Sequence, residues 1–483
     1  MRTFPQTMAS CARLGLVLCA AAGLWGCATG PDYHRPDLAL PGAWRSAAGD
    51  STNSLADLSC ADLYRDPVLN GLIATALSNS PDVRSAVARI EEASAALRIQ
   101  RSAYLPSING SGTYTTARKG NLKPLPGAEG DEYDLFGALS YELDLWGRIR
   151  RLNEAALAQY LASEESARSV RIGLVANVAS TYFNLRALDR QLEIATDTLA
   201  SRKDMLELTQ IKFDEGQGVV SELDVAQAQT QVSSTQSSIA SLRRSIAVTE
   251  NALCILLGSY PREVPRGLGI AEQWQPEDVP AGLTSDLLLR RPDLKTAEQN
   301  LIAANANIGV ARAAYFPTLS LTAALGLQSD ELSDLFDTGL SKAWSFSPSL
   351  TAPIFNGGKL RANVRVAEAK QKEALADYEK AIQNAFREVN DALAGVQYIR
   401  QQLAADEDTV QAESRRLELS QMRYEGGVSD YSDVLDAQRY LFSAQLTAVQ
   451  TRNSLLNATV QLYKALGGGW QEDSPAPPTE TAP

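Results

Sequence analysis

One succession of motifs occurs twice in this chain, and any fold it adopts must hold both copies. Ser80-Pro81-Asp82-Val83 returns as Arg291-Pro292-Asp293-Leu294, and Tyr104-Leu105-Pro106 as Tyr315-Phe316-Pro317, each 211 residues on. Further along, Asp224-Val225-Ala226 returns as Asp433-Val434-Leu435 and Leu257-Gly258 as Leu466-Gly467, 209 residues on. A steady offset with a small slip marks one structural unit repeated with an indel. The copies are read as 66–258 and 285–467, joined by a segment at 259–284 that carries Pro261, Pro265, Pro276 and Pro280. The Gly-, Pro- and Thr-rich stretch 468–483 reads as a disordered tail.

Each copy has the same grammar: a helix ending at a proline, two alternating stretches, a very long helix, a glycine turn and a return helix. Val178, Leu185, Leu192, Leu199, Leu206 and Phe213 are seven apart, as are Val389, Val396, Leu403, Val410, Leu417 and Tyr424. The return helices repeat the period through Val225, Val232, Ile239, Ile246 and Leu253, and through Val434, Leu441, Ala448, Leu455 and Leu462. A sustained heptad supercoils a helix against a neighbour. From Arg148 to Phe213 an unbroken helix would run about 100 Å at ~1.5 Å per residue. One such helix could be an ordinary amphipathic core helix; four in phase argue for coiled-coil packing.

The alternating stretches predict short strands. Leu319, Leu321, Ala323, Leu325 and Leu327 alternate with small polar residues, and Trp344, Phe346, Leu350, Ala352 and Ile354 with serines and Thr351. Leu135, Leu139, Tyr141 and Leu143 form a third set, and Ser107–Thr116 a weaker fourth. About ten residues with one apolar face suits an outer-membrane strand, with Trp146, Trp344 and Phe355 near strand ends as a girdle. Hairpins on a soluble domain fit the alternation equally. Four strands cannot close a barrel by themselves, and open edges are not tolerated in lipid. Membrane strands would therefore require several chains to share one barrel, without saying how many.

Residues 1–26 read as a signal peptide: Arg2 and Arg13 are the only charges and 14–25 are apolar or small. The run closes on Leu24-Trp25-Gly26-Cys27, which resembles a lipobox with Cys27 as the lipidated first residue of a lipid-anchored segment, 27–65. An ordinary signal peptide cleaved nearby is the alternative. Ala28 in place of an aspartate favours outer-membrane sorting. Cys60 and Cys254 could pair in an oxidising periplasm, but isolated thiols fit better, since Cys254 lies in an apolar helical run.

Composition narrows the function. A single histidine, His34, and four methionines nearly exclude an imidazole metal centre or a methionine-lined metal path. The net charge of −12 argues against a nucleic-acid partner. No nucleophile elbow, phosphate loop, zinc-protease motif or Cys-x-x-Cys occurs, so no catalytic residue, metal ligand or cofactor is assigned.

Several separated motifs resemble the TolC-like outer-membrane efflux proteins, in particular the NodT-type lipoproteins that serve RND pumps. They are Cys27-Ala28-Thr29-Gly30-Pro31-Asp32-Tyr33 with Arg35-Pro36, Asp66-Pro67 with Leu72-Ile73, Asp144-Leu145-Trp146-Gly147-Arg148, Leu288-Leu289-Arg290-Arg291-Pro292-Asp293, Ala303–Ala311 and Phe355-Asn356-Gly357-Gly358-Lys359. The resemblance covers 27–470. It implies a mainly α fold with mixed β structure: a long coiled-coil α-helical barrel continuous with a transmembrane β-barrel, four strands per chain and 12 in a homotrimer. It further implies an outer-membrane, lipid-anchored exit duct with a long periplasmic extension, working with a periplasmic adaptor and an inner-membrane RND pump.

By the same resemblance, Asp433 and Asp436 match paired gate aspartates, stacked as two acidic rings in a trimer, and Tyr424 a tyrosine that constrains the closed state. Ser429 stands where the family has a partnering arginine, and the first copy has Gln227 opposite Asp436. Gly216, Gly218 and Val219, with Gly426, Gly427 and Val428, would be hairpin tips that meet the adaptor; plain helix-hairpin turns read the same way. Without the resemblance, Asp430 or Asp433 is an N-cap and Asp436 a solvated acid. Three other functions stand beside the drug duct: a structural coiled-coil outer-membrane lipoprotein, a heavy-metal duct and a protein-secretion duct.

Overall fold

The computed structural model describes residues 29–38, 41, 44–45, 54–55, 58–118, 129–215, 220–274, 284, 287–337, 339 and 341–468. The signal segment, Cys27 and the tail from 469 lie outside the described residues. In chain order come helices α1 (Cys60–Tyr64), α2 (Pro67–Asn79) and α3 (Pro81–Ser102), strands β1 (Ser107–Arg118) and β2 (Glu129–Leu143), and helices α4 (Arg148–Asp214) and α5 (Glu222–Leu256). Then follow α6 (Leu287–Arg290), α7 (Pro292–Ala313), β3 (Thr318–Ser329), β4 (Lys342–Thr351), α8 (Lys359–Glu425) and α9 (Tyr431–Ala465).

The internal repeat is written into these elements. Helices α4 and α8 are each 67 residues long, α5 and α9 each 35, and α3 and α7 each 22. Strands β1 and β3 each have 12 residues, whereas β2 has 15 and β4 has 10. Two boundaries differ from the sequence expectation. The helix before Pro106 stops at Ser102, and tight turns bridge the gap, Tyr104 N donating to Arg101 O and Leu105 N to Ser102 O. Tyr315 N donates to Arg312 O in the same way. Strand β4 ends at Thr351, so Ile354 and Phe355 lie beyond it; Pro353 has no amide hydrogen to continue the ladder.

The chain divides into two compact units. One holds the described residues up to Asp37 with Arg89–Glu164 and Thr296–Glu379. Its sheet is fully antiparallel in the order β1-β2-β3-β4. The register sets like with like. Trp344 lies opposite Leu325, Phe346 opposite Ala323 and Leu350 opposite Leu319; these continue to Leu139 and Leu143 on β2, and from Leu139 to Ile108 on β1. The other face carries Ser107, Ser140, Thr322 and Ser347 in one row. Side chains directly opposite share a face, so the four strands make one apolar and one polar surface.

In the same unit, residues 29–35 bind across α4 and α7. Thr29 N and Oγ1 donate to Trp146 O, Asn305 Nδ2 donates to Pro31 O, and Arg151 pairs with Asp32 at 2.7 Å. Arg35 grips Glu298 through two hydrogen bonds of 2.7 and 2.6 Å, and Tyr33 Oη donates to the same carboxylate. Asp144 caps α4 by accepting from Ile149 N and Arg150 N.

The other unit holds Leu38–Ala88, Glu165–Lys295 and the described chain from Lys380. Its heptad positions are buried near the middle of the long helices, with Val178, Leu185 and Val389 fully so, and grade to half-buried at Leu199 and Leu417. Asp66 caps α2 ahead of Pro67, the preferred arrangement for a helix start. Cys254 is a buried free thiol whose Sγ donates to Arg262 O at 3.4 Å.

Candidate functional site

The gate candidates lie where α8 turns into α9. The turn is a Schellman motif: Val428 N donates to Arg423 O and Gly427 N to Tyr424 O, with Gly427 at φ +70°. That backbone conformation is why a glycine stands there. Gly426 precedes it, and Val428 is exposed. Gly216, Gly218 and Val219, assigned to the α4–α5 turn, lie outside the described residues. Helix α5 starts with a reciprocal capping box, Ser221 with Asp224.

Tyr424 is buried in a cluster with Met205, Ala228, Tyr431 and Val434, so the ends of α4, α5, α8 and α9 share one small core. Its ring lies 5.4 Å from that of Tyr431, and Lys212 Nζ sits 4.4 Å from the ring centroid. Burial pushes the Tyr424 phenol up from its ordinary pKa and that of Tyr431 to about 12, so both stay neutral. The Tyr424 hydroxyl lies beside that of Thr209, which itself donates to Met205 O, and the Ser429 hydroxyl is buried without a partner among the described residues. Tyr424 is thus held mainly by packing.

Asp433 and Asp436 stand one helical turn apart on α9 and are both exposed, away from the buried Tyr431, Val434 and Ala437. Asp430 takes the N-cap position, but its side chain makes no capping bond. Asp436 pairs with Arg439 at 3.1 Å in an exposed i,i+3 contact, worth a few tenths of a kcal/mol at most by the usual ~0.2–0.5 kcal/mol for such pairs. The two carboxylates therefore share a solvent-facing surface.

Among the described residues, no group of three or more His, Cys, Asp or Glu could hold a metal ion, and no helix is long and apolar enough to cross a membrane. The apolar face of the sheet is instead exposed: Ile108, Leu325, Trp344, Phe346 and Leu350 are each more than half accessible. Sequence reasoning found these residues but not the binding of 29–35 to α4 and α7, because that depends on partners more than a hundred residues away. The Gly30-Pro31-Asp32-Tyr33 motif was its only sign.

Comparison with known proteins agrees with this arrangement. The family model for outer membrane efflux proteins matches residues 72–259 and 283–468. The solvent efflux pump outer membrane protein SrpC of Pseudomonas putida is 43% identical over 456 residues, covering 92% of this chain and 96% of SrpC. The cation efflux system protein CusC of Escherichia coli is 37% identical over 461 residues, 95% of this chain and 99% of CusC. The open state of the Neisseria gonorrhoeae MtrE outer membrane channel superposes with a TM-score of 0.83 at 34% identity, covering 92% of this chain and 99% of MtrE. With both halves matched and the strands and long helices in place, the chain belongs to the outer membrane efflux protein family.

Proposed function

We propose that this outer-membrane protein is the passive exit duct of a tripartite RND-type system, assembled as a homotrimer. The observation that supports this best is the sheet: one continuous apolar face is uncovered, and β1 and β4 are edges within the described chain. Lipid covers such a face without penalty, but an unpaired edge in lipid costs several kcal/mol per amide. Pairing β4 of one copy with β1 of the next removes every edge. Three copies give twelve strands, above the minimum of about eight for a closed barrel. Cys27, two residues ahead of the anchored Thr29, carries the lipid in this reading.

The long helices continue the duct toward a periplasmic adaptor and an inner-membrane pump, which meet the tips at Gly426, Gly427 and Val428 and at Gly216, Gly218 and Val219. Asp433 and Asp436 then form two acidic rings that narrow and cation-bias the closed end. Opening requires the Tyr424 cluster to part. No step needs chemistry from the protein. The cargo we assign is small organic compounds, as in the name of SrpC, rather than cations, as in that of CusC, since this chain offers soft metals one histidine and four methionines.

Single-channel conductance in planar bilayers tests this. Wild type should pass a small cation-preferring current, and Asp433→Ala/Asp436→Ala a larger and less selective one. An unchanged current moves the gate elsewhere; no current from folded protein defeats the duct.

A further inference from the structure

A second polar feature lies one helical turn from the Tyr424 cluster and has no part in the gate. Arg202, on α4, is only 4% exposed. Its Nη1 donates to Thr235 Oγ1 at 2.6 Å and to Gln231 O at 3.3 Å, both neutral acceptors on α5. Its Nε is buried without a partner, and no carboxylate among the described residues pairs with it. Its guanidinium lies 5.4 Å from the Phe442 ring centroid. Gln438, on α9, is 6% exposed, and both its Oε1 and Nε2 are buried and unpaired. The two residues line the same cavity of about 220 Å³, whose other walls include Ile194, Leu417 and Leu441.

Buried polar atoms are nearly always satisfied, and a buried charge needs a partner. Here one cation and one carboxamide break both rules within one cavity. The other charged groups lining it do not repair this. Arg190 is committed to Glu193 at 2.6 Å. Asp197 is exposed and stands five residues from Arg202 on the same helix, whereas side chains that meet on a helix are three or four apart.

We propose that this cavity is a binding site for a small organic carboxylate with an apolar body. Once side-chain rotations turn Arg202 Nε and Gln438 Nε2, now shut off from solvent, into the cavity, a carboxylate oxygen would accept from both, and the apolar body would fill the space between Ile194, Leu417 and Leu441. The guanidinium supplies the charge that a neutral amide ligand could not satisfy. Because Arg202 is one turn from Met205 and Gln438 one turn from Val434, a bound carboxylate would tie α4 to α9 just beside the shared core.

Isothermal titration calorimetry on the full, assembled protein in detergent tests this with benzoate and its neutral isostere benzamide. Benzoate should bind, with benzamide weaker by at least about tenfold. Arg202→Met should weaken benzoate by a similar factor, Arg202→Lys should restore part of it, and Gln438→Leu should weaken it even if Arg202→Met fails to fold. The proposal is overturned if the assembled wild type gives no benzoate binding, as when a neighbouring subunit fills the cavity. Equal affinity for benzamide, or binding that survives in Arg202→Met or in Gln438→Leu, overturns it too. Calorimetry reads the site without conduction, so the exit-duct reading stands or falls separately.

Discussion

Tyr182 Oη donates a 3.0 Å hydrogen bond to Asp66 Oδ2, joining residues 116 positions apart at the centre of a buried hub. The same carboxylate accepts from Val68 N, Leu69 N, Leu268 N and Gln273 Nε2, and Tyr182 Oη accepts from Gly267 N. Burial acts to raise the Asp66 pKa, but the hydrogen bonds from Gln273, Leu69, Tyr182 and Val68 outweigh it and hold the carboxyl below its ordinary value. A depressed folded-state value stabilises above about pH 4 and is lost as pH falls through it. Asp66→Asn should cost about 2–4 kcal/mol and flatten the acid limb of a Tm-versus-pH curve; a wild-type curve would refute the hub.

Burial also pushes Tyr182 up to about 12. A raised value means stabilisation that is complete below the ordinary tyrosine pKa of about 10 and lost as pH climbs from there through about 12. Tyr182→Phe should remove this alkaline loss while lowering stability at neutral pH by about 1–3 kcal/mol, since Asp66 and Gly267 N lose a partner. Circular dichroism melts between pH 8 and 12 read both.

Gly30 has φ +104°, and a Cβ there would stand 2.5 Å from Gly309 Cα. Gly30→Ala should therefore detach residues 29–35 at a cost of about 1–3 kcal/mol, seen as faster hydrogen exchange at the Thr29 amide that now donates to Trp146 O. Gly71, in α2, has open space around its missing Cβ. Gly71→Ala should stabilise by about 0.5–1 kcal/mol, the opposite sign for the same change.

Arg291 is buried, donates to Ala465 O at 2.9 Å and pairs with Asp293 at 2.6 Å and Glu388 at 2.8 Å. Its partners are nearly half exposed, which weakens the loss from breaking the pairs. Arg291→Met should cost about 1–3 kcal/mol, and Arg291→Lys nearly as much, because an ammonium cannot fork to three acceptors in this geometry. Thermal melts that rank Lys with wild type would show that charge alone suffices.

Tyr424 separates packing from hydrogen bonding. Since its hydroxyl meets no more than that of Thr209, which already donates to Met205 O, Tyr424→Phe should stay within about 0.5 kcal/mol of wild type and leave single-channel current unchanged. Tyr424→Ala opens a cavity in the shared core and should cost about 3–5 kcal/mol. A Phe variant with altered current would imply that the hydroxyl, and not packing alone, holds this end of the helices.

Much of the fold was legible because its signals are periodic and local. The heptads from Val178 to Phe213 and from Val389 to Tyr424 predicted the two 67-residue helices, and the alternation at 319–327 predicted β3. The proposed gate was legible only in part. Asp433 and Asp436 fall on one exposed surface, as a spacing of three requires, but nothing local says that Tyr424 packs against Tyr431, Met205 and Val434.

By itself, the sequence determined the duplicated grammar, the element types and the apolar–polar alternation, since helix and strand periods act over a few residues. Only the tertiary structure decided the sheet register, which gathers Ile108, Leu139, Ala323 and Phe346 into one face. It alone brought Asp66 to Tyr182 and Gln273, bound residues 29–35 to α4 and α7, and left Arg202 Nε and the Gln438 carboxamide unpaired beside one cavity. Those outcomes rest on distant groups competing for hydrogen bonds and space once water is excluded, and no local period records which partner wins.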